Sequence, residues 1–148
     1  MRLIGLTDKG RLLGLDIGAK RCGLAWTDRM QMIPSIIGTF SKQELEHTIR
    51  ERVSNEPSPG IVGFVLGWPI QADGTPSASM QDVKAFETWL KKTFPDIPIH
   101  YQDEFGSSQE AMEVMVTSGV SKRKRAQKGS VDSTAAAIIL QRYLEHRG

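Results

Sequence analysis

The chain has 148 residues, 39% apolar and 24% charged, which predicts one compact domain over 1–148 that buries about 70% of its unfolded surface and excludes collagen-like, coiled-coil and disordered classes. A single cysteine, Cys22, excludes an internal disulfide and a cysteine-based zinc site, and the absence of any apolar run near ~18 residues or of a signal-like start in MRLIGLTDKGR predicts a cytoplasmic protein with no membrane role. The net charge is only +2 but uneven: without Lys122, Arg123, Lys124, Arg125 and Lys128, 14 basic residues face 17 acidic ones.

In chain order, Arg11–Ile17, Cys22–Thr27 and Met32–Phe40 read as three strands whose short connections favour antiparallel hairpins. Ser41 and Glu44 then form a capping-box pair, with Leu45, Ile49 and Val53 on one helical stripe and Pro57 and Pro59 beyond it. Ile61–Gly67 is a continuous apolar run, as in a strand buried on both faces. A loop from Trp68 to Pro76 carries Asp73-Gly74 as turn chemistry. Ser79 with Asp82 predicts the start of a helix with Val83, Phe86 and Leu90 inside, stopped by Pro95. Ile97–Gln102 is a short strand, and Ser107 with Glu110 starts a further helix that ends at Gly119. The basic run follows, and a last helix spans Ser130 to about His146. Strands that alternate with helices in the second half predict an α/β mixed sheet covered by helices.

Acids stand at unusual places in this pattern. Asp16 lies near the end of an apolar strand, where Asp is depleted. Asp103 and Glu104 directly follow a strand, at the position where open α/β sheets meet ligands, and the spacing does not choose between them. Asp132 leads a helical stripe of Ala135, Ala136, Ile139, Leu140 and Tyr143, which predicts an inward carboxylate in need of a cation, a partner or a capping role. One acid from each place suits a hard divalent ion such as Mg²⁺, and such ions serve phosphodiester cleavage. Between Asp16 and Gly23, Gly18 with Lys20 and Arg21 suits a phosphate contact, although a plain hairpin turn uses the same glycines. The basic run suits a nucleic-acid backbone, and a solvated loop would carry it equally well.

These residues resemble the YqgF family of bacterial ribonuclease H-like proteins, described as pre-16S rRNA nucleases and Holliday junction resolvases. The resemblance runs from about Leu13 to Leu144. It is carried by Leu15-Asp16-Ile17-Gly18 with Lys20, Arg21, Gly23 and Ala25, closing at Thr27-Asp28. Leu66-Gly67-Trp68-Pro69-Ile70 with Asp73-Gly74-Thr75 follows, then Asp103-Glu104 with Ser107 and Ser108. Last come Gly119-Val120-Ser121, the basic run, and Val131-Asp132 with Ala135-Ala136. The resemblance implies a ribonuclease H-like fold, a five-stranded mixed sheet flanked by helices. It implies Asp16, Glu104 and Asp132 as the catalytic acids that hold Mg²⁺ or Mn²⁺, and so favours Glu104 over Asp103. It departs at Phe105, where the family commonly carries Arg, and at Trp68, where an aliphatic residue is usual.

The leading expectation is a metal-dependent nuclease that processes the 5′ end of pre-16S rRNA, with Lys20, Arg21, Lys122, Arg123, Lys124 and Arg125 on the phosphate backbone. Its partner is the RNA precursor of the small ribosomal subunit, or branched DNA if the chain is a Holliday junction resolvase. The chain acts as a monomer or a homodimer. A non-catalytic nucleic-acid-binding adaptor is the competing class, and an inward Asp132 speaks against it. An actin-like nucleotide-handling protein generally needs two such domains, and this chain has length for one.

Overall fold

A computed structural model describes residues 8–70, 73–103 and 130–147, the side chains of 130–132 excepted. In chain order they form β1 (Arg11–Ile17), β2 (Cys22–Thr27), β3 (Pro34–Phe40), α1 (Lys42–Asn55), β4 (Ile61–Trp68), α2 (Met80–Thr93), β5 (Ile99–Asp103) and α3 (Ser130–His146). The helix expected from Ser107 onward lies outside the described residues. The strands make one five-stranded sheet in the order β3-β2-β1-β4-β5. The hairpin neighbours β1–β2 and β2–β3 are antiparallel, and β1–β4 and β4–β5 are parallel. This is the mixed α/β sheet of a ribonuclease H-like fold.

Alternation along β1 divides the core in two. Leu13, Leu15 and Ile17 pack with Leu45 and Ile49 of α1 and with Val83, Phe86 and Leu90 of α2. Leu12 faces the other way and packs with Ala25, Val65 and the α3 residues Ala136, Ile139 and Leu140. The central strands are therefore apolar at successive positions, because both faces are covered. The α1 capping box forms as expected: Glu44 N–H donates to Ser41 Oγ at 3.2 Å, and Ser41 N–H donates to Glu44 Oε1 at 2.9 Å.

Two expected strand starts shift for local reasons, and one expected helix cap does not form. β3 begins at Pro34, not Met32, because the Asp28 carboxylate accepts the N–H groups of Met30, Met32 and Ile33 at 2.7–3.1 Å and holds the segment as a loop. Burial pushes that carboxyl up, but the three backbone N–H groups outweigh it and hold its pKa below the ordinary value. β5 begins at Ile99 because Pro98 has no N–H for the ladder. Ser79 precedes α2 without a side-chain cap, its hydroxyl lying 2.9 Å from that of Ser77, and Asp82 pairs instead with Lys42 of α1.

α3 lies unusually close to the sheet at Gly14. A Cβ there would stand 2.4 Å from Leu140 Cγ and 3.1 Å from the Ala136 carbonyl oxygen. The far end of the sheet, where β1 begins, is held by charge. Glu56 Oε1 accepts from Arg11 Nε at 2.7 Å and from Arg29 Nη1 at 2.8 Å. Partial burial pushes the Glu56 carboxyl up, yet the two guanidinium groups prevail and lower its pKa. Arg11 and Arg52 also stack on the Trp26 ring at 3.8 and 4.3 Å.

Gly14→Ala is expected to destabilise the fold by about 1–3 kcal/mol, as overpacking does, because both the Leu140 side chain and the Ala136 backbone must retreat. Chemical denaturation measures this. A midpoint equal to that of the wild type would show that α3 has slack at this crossing.

Candidate active site at the carboxyl ends of the strands

The parallel strands β1, β4 and β5 end at one edge of the sheet. Asp16 is the penultimate residue of β1, Trp68 the last of β4 and Asp103 the last of β5. Asp16 is half-buried and pairs in register with Gly23. By alternation it shares the face of Leu12 and Gly14, the face that α3 covers.

The Gly14 crossing sets the position of α3 along β1. The opposite end of α3 reaches the β2–β3 loop, where Arg147 Nη1 donates to Gln31 Oε1 at 2.6 Å. α3 therefore runs antiparallel to β1, with its first turn at the Asp16 end. One helical turn, about 5.4 Å, separates Ala136 from Asp132. Two strand residues, about 6.6 Å, separate Gly14 from Asp16 in the same direction. Residues 16 and 132 thus occupy corresponding heights on facing elements.

Glu104 lies outside the described residues, as do Lys122, Arg123, Lys124 and Arg125. Its neighbour Asp103 stands with Trp68 and Tyr101 on the α2 face, opposite the face of Asp16. That placement counts against Asp103 as a partner of Asp16, on grounds independent of any resemblance. Arg142 of α3, which the sequence reading passed over, brings Nη1 to 3.5 Å from the Asp103 carbonyl oxygen. Among the described residues no three His, Cys, Asp or Glu side chains come together as a metal-binding group, and of the three expected acids only Asp16 has a described side chain.

Lys20 and Arg21 are exposed in the β1–β2 turn, at the same end as Asp16. With Thr39, Phe40, Ser41 and Glu44 they line an open cavity of about 350 Å³. Gly18 is required by this turn itself: its N–H donates to the Arg21 carbonyl at 3.1 Å, and a Cβ would stand 2.5 Å from that oxygen. The glycine therefore has a conformational duty whether or not phosphate approaches it.

The loop after β4 is also tied at this end. Ser77 N–H donates to the Pro69 carbonyl at 2.9 Å, and Asp73 Oδ1 accepts from Thr75 N–H at 3.0 Å and from its hydroxyl at 2.6 Å. Trp68 belongs to the strand rather than the loop. It is half-buried and meets Tyr101 edge to face, with ring centroids 5.1 Å apart. The Tyr101 hydroxyl donates to Glu87 of α2. Burial of the hydroxyl, followed by the bond to Glu87 and its negative charge, pushes the phenol up to about 12.

A family model described as "RuvX: Holliday junction resolvase" matches residues 10–146. A protein of Prosthecochloris aestuarii named "Putative pre-16S rRNA nuclease" is 37% identical over 93% of this chain and 95% of its own. One of the same name from Parabacteroides distasonis is 41% identical over 93% of this chain and 96% of its own. A solved structure of a "putative sugar kinase" from Cytophaga hutchinsonii is 15% identical, with a TM-score of 0.40 over 80% of this chain and 42% of that one.

The Tyr101–Glu87 pair has a titration signature. Ultraviolet absorbance should show one phenol ionising near pH 12, and Glu87→Gln should bring it down toward the ordinary 10. Because the folded-state value is the higher one, the pair's contribution to stability is complete below pH ~10 and is lost as pH climbs toward 12. An unchanged titration in Glu87→Gln would remove Glu87 as a cause.

Proposed function

The chain belongs to the RuvX family, and from that membership we propose that it is a metal-dependent nuclease that hydrolyses phosphodiester bonds at the 5′ end of pre-16S rRNA. The substrate follows the name shared by the relatives that match over 93% of the chain. The observation that carries the reading is the half-buried Asp16 at the end of β1, level with the first turn of α3. Its carboxylate oxygens are the hard donors that Mg²⁺ or Mn²⁺ takes.

In this reading Asp16, Glu104 and Asp132 hold the ion. When bound, it supplies Lewis-acid stabilisation of phosphoryl charge and a lowered pKa for water. The remaining work belongs to the chain. Lys20 and Arg21, exposed beside the Asp16 end of β1, pair with the backbone phosphates. Lys122, Arg123, Lys124 and Arg125 extend that contact along the strand and bring no sequence preference of their own. The β1 backbone holds Asp16 and the α3 backbone carries Asp132 at a corresponding height, and water attacking the phosphorus in line would displace the 3′ oxygen as the P–O3′ bond breaks. The description of the matched family favours a second substrate, the four-way DNA junction, through the same acids.

Purified protein incubated with Mn²⁺ and end-labelled RNA carrying the 5′ leader of pre-16S rRNA tests this. The wild type should cleave. Asp16→Asn should lose at least about 100-fold in rate, since even indirect supporters of metal ligands cost 10–100-fold, while still binding RNA. Equal cleavage by both proteins would remove Asp16 from the chemistry. Binding without cleavage of either RNA or junction would turn the reading to an adaptor.

A further inference from the structure

On the α2 face, at the ends of β4 and β5, Trp68, Ile70, Glu87, Tyr101 and Asp103 line an open cavity of about 380 Å³. It lies across the sheet from Asp16 and apart from the turn that carries Lys20 and Arg21. We propose that this corner is a stacking subsite for one unpaired nucleobase of a single-stranded RNA, read at its edge by Glu87 and Asp103. The proposal takes the identity of the polymer from the nuclease reading above.

Three features carry it. The first is the aromatic pair. Trp68 and Tyr101 stand edge to face, and Tyr101 remains 44% exposed, so the corner presents π surface to solvent. A tyrosine ring kept in place only as core would not be left so open, and any base can stack on such a surface. The pair is also held: the Tyr101 hydroxyl donates to Glu87, and Lys91 Nζ lies 3.5 Å from the same carboxylate. A fixed ring loses little freedom when it is covered.

The second is the rim. Its charged groups, Glu87 and Asp103, are carboxylates and therefore acceptors. Adenine, cytosine and guanine offer amino hydrogens to such a rim, and carboxylates accept well from amino edges. Uracil has no amino group: its single N3–H donor stands between two carbonyl oxygens, which the carboxylates repel. A phosphate is repelled too, so the polymer enters by its base and keeps its backbone outside.

The third is position. β1 and β4 are paired neighbours, about 5 Å apart, so the corner and Asp16 flank the same edge of the sheet. A strand crossing that edge can seat a base at Tyr101 and bring a phosphate to the Asp16 end.

Fluorescence anisotropy with labelled oligo(A), oligo(C) and oligo(U) tests this on the full chain without metal. Tyr101→Ala should weaken oligo(A) and oligo(C) binding about 5- to 150-fold, the range of one base–aromatic stack. Tyr101→Phe keeps the stacking ring and loses only its tether to Glu87, so it should weaken binding far less than Tyr101→Ala. Glu87→Gln should narrow the preference for oligo(A) and oligo(C) over oligo(U). If Tyr101→Ala does not fold, Tyr101→Leu keeps apolar packing on Trp68 and should show the same loss. Unchanged affinity in a folded Tyr101→Ala or Tyr101→Leu variant overturns the subsite, and so does a wild type that binds none of the three oligonucleotides. Loss of self-association in sedimentation, with RNA affinity intact, assigns the corner to a second copy and overturns it equally. Tyr101-dependent binding by a wild type that cleaves nothing removes the nuclease reading and leaves the subsite.

Discussion

The missing side chain at Gly14 is the constraint on which the α3 layer depends. A helix normally stands off a sheet by the thickness of two interdigitated side-chain layers, and here one of those layers is absent where α3 crosses β1. Leu140 fills the gap, Ala136 brings its carbonyl down onto the strand, and Ile139 closes the contact with Leu12, Ala25 and Val65. A close crossing of this kind leaves little freedom to slide, so it fixes the height of α3 along β1 as well as its distance. Asp16 lies two residues along the strand from that crossing, and the first turn of α3 lies one turn along the helix. The acid end of the molecule inherits its geometry from an apolar contact in the middle.

Much of the fold is legible in the residues because the local and global patterns agree. β1 and β2 fall at their expected bounds, since Gly18 and Asp28 punctuate apolar runs sharply. α1 is announced by a capping box that forms in full. The failures occur where a side chain does something that spacing does not reveal. Asp28 draws three backbone N–H groups from the following residues and delays β3. Asp82 serves Lys42 on another element rather than the helix start it occupies. Glycine at position 18 reads equally as a phosphate contact and as a turn former, and only the nearness of the Arg21 carbonyl separates the two.

The candidate site is legible in a different way. Asp16 stands out from composition alone, as an acid in an apolar strand. The choice between Asp103 and Glu104 needs a face, and a face needs the register of β5 against β4: Trp68 pairs with Asp103, which puts both on the α2 side. The aromatic corner was hidden for a similar reason. Trp68 and Tyr101 are 33 residues apart in the chain, and nothing in their local sequence relates them. Parallel pairing of β4 with β5 does.

The Arg11–Glu56–Arg29 cluster and the Trp26 stack stand at the end of the sheet where β1 starts, whereas Asp16 stands near the end where it finishes. Five residue steps of strand, about 16 Å, separate Arg11 from Asp16. Sites so far apart respond to substitution largely independently. The protein can therefore gain or lose folding free energy at one pole while the acid end keeps its form, and its sequence is free to drift in thermal tolerance along an axis that catalysis does not read.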